Sequence, residues 1–229
     1  MIDHAHDLAS VRDATERLLT AVGSLDNAAV TQPSRLPGWT RGHVLAHLAR
    51  NADALVNVLE GRPMYVSGEA RDADIERDAP RALDAQLTDL RESAARFQEA
   101  GDAPADWSRT VELRNGVTDT AARVPFRRWV EVELHHVDLG IGYELEDLPE
   151  EFTEREIEFL ADRFAGHTDV PSTRVTDGTR AWRTGRAPDG DPEVTVTGTP
   201  ADLLGWLAGR RDGAALRVDG GPLPALPPL

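Results

Sequence analysis

The chain contains 229 residues, of which 40% are hydrophobic and 28% are charged, as expected for one or two globular domains. Its formal net charge of −15 argues against nucleic acid and anionic membranes as partners, because both attract basic surfaces. The absence of cysteine and lysine excludes disulfides, cysteine nucleophiles and lysine Schiff bases from the chain itself.

The first residues, 1–7, are polar and acidic and lack the basic and then apolar pattern of a signal peptide. No apolar run along the chain approaches the roughly 18 residues that a bilayer-spanning helix needs. These features predict a cytoplasmic protein. The first helix is predicted over about 5–25, where apolar residues recur at helical spacing.

Two prolines and a glycine break the chain at 31–38, and Thr40 is then placed to cap a second helix that runs to about Glu60. Residues 63–71 are predicted to be non-helical. A third helix is expected from about Pro80 to Gly101, where leucines recur on one face.

A short strand is predicted at 109–113, and the next helix has Pro125 in its first turn and ends near Gly140. Thr153 and Glu156 have the spacing of a capping box, which predicts the start of a fifth helix.

Beyond residue 170 the sequence changes to short alternating segments. A strand followed by a turn is predicted at 173–179, and further strands at 193–198 and 215–218. A short helix is predicted to begin at Thr199-Pro200, and the tail is proline-rich and extended. The pattern predicts an α+β protein with two domains. An antiparallel four-helix bundle occupies 1–168, and a small α+β domain occupies 169–229.

Three ionisable side chains form the candidate metal site. Glu131 and His135 are four residues apart, so they lie on one face of their helix. Helix bundles build metal sites from inward carboxylates and histidines on facing helices, and His47 lies on the inner face of another helix. Two imidazoles and one carboxylate would leave one coordination position open, which is typical of a catalytic zinc site.

Neighbouring residues of the same types are assigned other roles. His136 points about 100° away from His135 around the helix axis, so it is expected to be exposed or to lie outside the first coordination shell, and Glu133 is likewise not expected to join the site. His43 is expected to cap its helix or to support the site. Asp138 is placed to orient His135 or to accept hydrogen bonds near the helix end.

Several segments together resemble the mycothiol-dependent maleylpyruvate isomerase family, part of the DinB-like superfamily of metal-binding helix bundles. The segments at 38–51 and 131–140 look like the family's two metal-ligand helices. The segment at 63–71 is similar to the isomerase itself, and the strand at 194–198 with the helix end at 208–210 resembles its small C-terminal domain. The resemblance covers nearly the whole chain.

The resemblance implies that His47, Glu131 and His135 bind Zn²⁺ or another divalent metal. It further implies that Arg210, or its neighbour Arg211, contributes to the catalytic and cofactor-binding site from the C-terminal domain, which would complete the active-site cleft. Arg71 falls in a matched segment and is a second candidate catalytic residue, because arginine forks suit a dicarboxylate substrate.

The implied activity is the conversion of maleylpyruvate to fumarylpyruvate in aromatic catabolism, through reversible addition of a thiolate that leaves a single bond free to rotate. Because the chain has no cysteine, the thiol would come from outside it. The resemblance implies that this thiol is mycothiol, activated by the metal. Such an enzyme is expected to act as a monomer with small-molecule partners only.

Two other functions are compatible with the same motifs. One is a mycothiol-dependent S-transferase that acts on other electrophiles at an unchanged metal site. The other is a non-catalytic metal-binding module, in which His136 or His43 would supply a fourth ligand. Nickel, cobalt and iron also accept histidine and carboxylate ligands, so the spacing does not select zinc.

Overall fold

The computed structural model describes residues 2–228, and the chain divides into two compact units, Met1–Tyr143 and Glu144–Leu229. This boundary differs from the one predicted near residue 168. The helix Glu150–Phe164 therefore belongs to the second unit and not to the bundle. Its apolar stripe identifies a buried face, but a stripe does not specify which neighbour covers it.

The first unit holds most of the helical structure. Its described residues form the α-helices α1 (His4–Gly23), α2 (Asn27–Val30), α3 (Arg41–Leu59), α4 (Gly68–Asp78), α5 (Leu83–Asp102) and α6 (Val124–Asp138). The four long helices pack in a cycle, because α1 and α3 each contact both α5 and α6. This arrangement agrees with the predicted bundle, and the four predicted helices are confirmed within a few residues.

Helix α3 has 12 buried residues among its 19. Its core side chains include the small residues Ala46, Ala49 and Ala52, each no more than 1% exposed. Small side chains allow neighbouring helices to approach closely, so α3 packs against α4, α5 and α6. A residue that points inward from α3 is therefore enclosed by several helices.

Helix α4 was not predicted, since residues 63–71 were expected to be non-helical. It begins after Ser67, whose side chain accepts a hydrogen bond from the backbone N–H of Ala70 at 3.0 Å. The helix has only one buried apolar side chain, Ile75, so it lacks the apolar periodicity on which the prediction depended. Its N-cap is the local signal that could have revealed it.

The predicted strand at 109–113 is confirmed as β1 (Thr110–Glu112). It pairs in antiparallel register with β2 (Thr118–Thr120), a strand that was not predicted. The connection contains Asn115 in the left-handed region at φ 61°, a conformation that asparagine tolerates better than most residues. This hairpin precedes α6.

The second unit combines two helices with a four-stranded sheet. Its elements are α7 (Glu150–Phe164), β3 (Thr173–Thr176), β4 (Ala181–Thr184), β5 (Val194–Thr197), α8 (Pro200–Leu207) and β6 (Arg217–Asp219). The strand order is β4-β3-β5-β6, with β3 and β5 parallel and the outer pairs antiparallel. Helix α7 packs against α8 and β4.

The sheet confirms the three predicted strands and adds β4, whose four residues were too few and too exposed to form a recognisable pattern. Helix α8 begins where predicted, and Thr199 caps it, since its side chain accepts from the backbone N–H of Asp202 at 3.2 Å. The predicted capping box at Thr153 is wrong. Helix α7 begins three residues earlier, and the hydroxyl of Thr153 donates to the carbonyl of Pro149 at 3.2 Å.

Within residues 2–228, no helix is both long and apolar enough to cross a bilayer.

Candidate metal centre

Helix α3 carries the first of the three predicted ligands. Thr40 caps the helix, and His43 completes a capping box with it: the backbone N–H of Thr40 donates to His43 Nδ1 at 3.1 Å. His43 is therefore held at the helix start, as predicted. His47 lies one turn further on, with a side chain only 7% exposed, and the ring of Trp39 packs 5.5 Å from it.

Helix α6 carries the other two. Glu131 and His135 are one turn apart on the same face, and Glu131 Oε2 lies 3.2 Å from His135 Nε2 and 3.0 Å from His47 Nε2. The ligand atoms of all three residues lie within 4.8 Å of one another. The prediction that they converge is confirmed.

The convergence depends on contacts that join the start of α3 to the end of α6. The backbone N–H of Arg35 donates to the carbonyl of Asp138 at 2.7 Å, just before α3 begins. The guanidinium of Arg41 donates to the carbonyls of Leu139 and Gly140 at 2.8 and 3.1 Å. These bonds satisfy carbonyl groups at the C-terminus of α6 and hold the two ligand-bearing helices together.

Asp138 orients His135, which is one of the two roles predicted for it. Its fully buried carboxylate lies 2.8 Å from His135 Nδ1, and this contact leaves Nε2 facing Glu131 and His47. Carboxylate–histidine pairs of this kind fix the ring tautomer and orientation of metal-ligating histidines. Burial lowers the pKa of His135, but bonds to Asp138 and Glu131 outweigh it, so the pKa is raised.

The charge states of the other two candidate ligands, His47 and Glu131, favour metal binding at neutral pH. Burial lowers the pKa of His47 to about 4, so its imidazole is neutral. Burial alone would raise the pKa of Glu131, but hydrogen bonds from His135 and His47 hold it well below the ordinary value. Its carboxylate is ionised and 32% exposed, so the cluster opens to solvent on the Glu131 side.

Arg71, the second predicted catalytic residue, reaches the cluster from α4. Its Nη2 lies 3.2 Å from His47 Nδ1, its Nη1 donates to Asp72 at 2.6 Å, and its guanidinium lies 6.0 Å from the ring centre of Tyr65. Burial raises the pKa of Tyr65. A guanidinium and a neutral phenol thus lie beside the candidate ligands.

Arg128 is a buried residue that the sequence did not single out. It is 2% exposed and donates to the carbonyl of Leu48 at 2.9 Å and to Asn51 Oδ1 at 2.8 Å, which links α6 to α3. Burial lowers its pKa to about 10, and the negative charge of Glu131 opposes that effect. Its position three residues before Glu131, on the same helical face, is the signal that could have identified it.

Glu133 and His136 do not join the cluster, as predicted, and His136 is buried instead of exposed. His136 is 3% exposed, and its ring stacks on Tyr143 with centroids 4.0 Å apart. Glu133 is 1% exposed and accepts hydrogen bonds from Arg17, Trp129 and Tyr143. Both residues belong to the packing of α6 on α1, since α6 is surrounded on more than one side.

The two arginines that follow α8 differ in their contacts within the second unit. Arg211 donates to Asp202 at 2.7 Å and to both carboxylate oxygens of Glu146 at 2.7 and 2.9 Å. Arg210 donates to the carbonyl of Ala208 at 2.7 Å. The charge of Arg211 is therefore balanced by two carboxylates within the second unit.

Comparison with known proteins relates the whole chain to one family. Residues 11–140 match the family described as "Mycothiol maleylpyruvate isomerase N-terminal domain", and residues 147–228 match the "MDMPI C-terminal domain". No curated protein matches the sequence significantly.

Two solved structures are similar over nearly their full length. They are crystal structures of the mycothiol-dependent maleylpyruvate isomerase and of a variant of it in which one histidine is replaced by alanine. Each is 29% identical to this chain with a TM-score of 0.88, over 99% of this chain and 97% of the other. The two family matches together cover both compact units, and the chain therefore belongs to the mycothiol maleylpyruvate isomerase family.

Proposed function

We propose that this protein is a mycothiol-dependent cis–trans isomerase that converts maleylpyruvate to fumarylpyruvate. The observation that carries the proposal is the convergence of His47, Glu131 and His135 in a chain whose two units both match the isomerase family. Such an enzyme would act in the cytoplasm, as a monomer, on a small dicarboxylate.

The three side chains fit a divalent metal. Two imidazole nitrogens face one carboxylate oxygen at 3.0 and 3.2 Å, and the second nitrogen of His135 is already fixed by Asp138. A set of two histidines and one carboxylate with an open side is the pattern of catalytic zinc sites, so we propose Zn²⁺. His47 Nε2, Glu131 and His135 Nε2 would hold it.

A bound Zn²⁺ would supply the charge that deprotonates a coordinating thiol, and mycothiol would supply that thiol, since the chain has no cysteine. The protein's own contribution is to shape the surroundings. Trp39 packs against the ring of His47 and keeps water from that side of the imidazole. Asp138 holds the ring of His135 in one orientation.

A dicarboxylate substrate requires local positive charge in a protein whose net charge is −15. Arg71 provides a guanidinium in contact with the cluster, and its fork geometry suits a carboxylate. Arg128 adds a buried positive charge that interacts with Glu131. We propose that Arg71 binds one substrate carboxylate, and that Arg210 is the second residue that binds substrate or cofactor, as the resemblance implies.

The test measures the loss of maleylpyruvate absorbance with and without mycothiol, before and after chelation and after zinc is restored. Activity should require both mycothiol and metal. His47→Ala should lose bound metal and activity together. His167→Ala, a histidine exchange in the second unit, should keep both. Full turnover by His47→Ala in metal-free buffer would refute the assigned site.

A second assay with a generic electrophile separates isomerase from S-transferase. If mycothiol is consumed by the electrophile in a metal-dependent reaction while maleylpyruvate is unchanged, the protein is a transferase. If neither substrate reacts although metal is bound, the non-catalytic alternative holds.

A further inference from the structure

The contact between Arg71 and His47 determines which ring nitrogen of His47 carries the proton. Arginine has only donors, so the 3.2 Å contact from Arg71 Nη2 requires His47 Nδ1 to be an acceptor. In a neutral imidazole the proton then lies on Nε2. Nε2–H is placed to donate to Glu131 Oε2 at 3.0 Å, and both bonds are satisfied at once.

Metal binding needs the opposite arrangement. A divalent ion at His47 Nε2 takes the lone pair of that nitrogen, so the proton of the neutral ring must lie on Nδ1. Nδ1–H and the guanidinium of Arg71 are both donors, and two donors cannot form a hydrogen bond. The positive charge of Arg71, 3.2 Å from the ligand ring, also opposes a nearby dication.

We infer that binding of a divalent metal at His47 Nε2 breaks the contact between Arg71 and His47, so that Arg71 becomes available to the substrate carboxylate only when the metal is present. The carboxylate role of Arg71 rests on the proposed function. The exchange of the ring proton and the loss of the contact do not, because they follow from the donor and acceptor chemistry of the two side chains.

The contact is suited to such a change because Arg71 has other partners. Its Nη1 donates to Asp72 in the adjacent position of α4, and its guanidinium lies over the ring of Tyr65. After loss of the bond to His47, the positive charge of Arg71 is therefore still partly balanced by these two contacts. Ile75 and Asp78 are the buried residues of α4, whereas the side chain of Arg71 is 12% exposed and so is partly open to solvent.

The direct test is long-range ¹⁵N–¹H NMR of the imidazole rings in the intact protein, metal-free and loaded with Zn²⁺. His47→Gln assigns the signals of His47. The metal-free protein should show the Nε2–H form of His47, and the loaded protein the Nδ1–H form. If His47 already carries its proton on Nδ1 without metal, the inference is refuted.

A second test measures zinc affinity by competition with a chromophoric chelator. Arg71→Met removes the bond that favours the metal-free state, so zinc should bind about tenfold more tightly. Arg71→Gln also offers an oxygen that accepts from Nδ1–H, so it should bind zinc about fivefold more tightly than Arg71→Met. Equal affinity of both variants and the unsubstituted protein would overturn the inference.

Arg114→Met is the matched control. Arg114 interacts electrostatically with Tyr65, so its loss removes a positive charge from the same region without a contact to His47. Its zinc affinity should stay within about twofold of the unsubstituted protein. If Arg114→Met tightens zinc binding as much as Arg71→Met does, general charge and not the ring proton is responsible, and the inference fails.

Neither test depends on turnover. If maleylpyruvate is not converted but the ring proton of His47 moves as expected, the proposed function fails while the metal-linked exchange stands. If turnover is observed but the proton does not move, the exchange fails and the function stands. The NMR test needs no substitution at Arg71, so a variant that does not fold cannot leave the question open.

Discussion

The lowered pKa of His47 makes the stability of the metal-free protein dependent on pH in a defined window. Burial holds the pKa at about 4, against an ordinary value of 6.5. The unfolded chain regains the ordinary value and binds a proton that the folded chain excludes. Protonation of this group therefore does not lower the free energy of unfolding above pH 6.5. Below pH 6.5 the free energy of unfolding decreases as the pH falls toward 4.

The magnitude follows from the two pKa values. For one group that titrates near 6.5 when unfolded and near 4 when folded, the free energy of unfolding falls by about 2 kcal/mol between pH 7 and pH 5. The other two candidate ligands, His135 and Glu131, change the free energy of unfolding in other pH ranges. The raised pKa of His135 stabilises the fold below pH 6.5 and loses that effect above it. The lowered pKa of Glu131 affects stability only below about pH 4.5.

The assay is urea unfolding at pH 7, 6 and 5 in the presence of a chelator, with the unsubstituted protein compared with His47→Gln. The variant cannot take up this proton, so its free energy of unfolding should change by about 2 kcal/mol less over the same range. His167→Gln, in the second unit, should follow the unsubstituted protein. Parallel pH profiles for the unsubstituted protein and His47→Gln would show that burial does not hold the imidazole neutral.

Three further predictions concern residues around and beyond the cluster. Asp138→Asn should weaken zinc binding by about 10- to 100-fold in a chelator competition assay, because His135 loses its charged partner; affinity unchanged within twofold would contradict this role. Arg128→Met should lower the free energy of unfolding by about 2–3 kcal/mol in urea, because the buried Asn51 oxygen loses its donor; a change below 0.5 kcal/mol on the same scale would show that the buried bonds contribute little. Ala187→Gly should raise the unfolding free energy by about 1 kcal/mol, because Ala187 lies at φ 49°, where glycine avoids the steric cost of Cβ; a destabilised variant would count against strain at this position.

Local sequence patterns were sufficient to predict the elements whose signal lies within one helical turn or one apolar stripe. The cap at Thr40, the helix start at Thr199-Pro200 and the four long apolar stripes each depend on neighbours in the chain, and all were predicted. The same holds for Glu131 and His135, because a spacing of four residues places two side chains together on any helix.

Tertiary packing decided what surrounds those patterns. Helix α6 is buried on more than one side, so His136 is buried although it points away from His135. Helix α4 is stabilised with only one buried apolar residue, so periodicity could not reveal it. Helix α7, the fifth predicted helix, has a clear stripe of apolar residues. Only its contacts with α8 and β4 assign it to the second unit.

The amino-acid sequence by itself identified the long helices and the three candidate metal ligands, because apolar stripes and the pairing of Glu131 with His135 depend on spacings of three and four residues. Only the tertiary structure placed Arg71 against His47 and Arg128 between α6 and α3. Those contacts join residues far apart in the chain, and periodicity identifies a buried face without identifying the partner that covers it. The position of the ring proton of His47, and with it the proposed coupling between the metal and Arg71, therefore depends on tertiary contacts that local sequence patterns cannot predict.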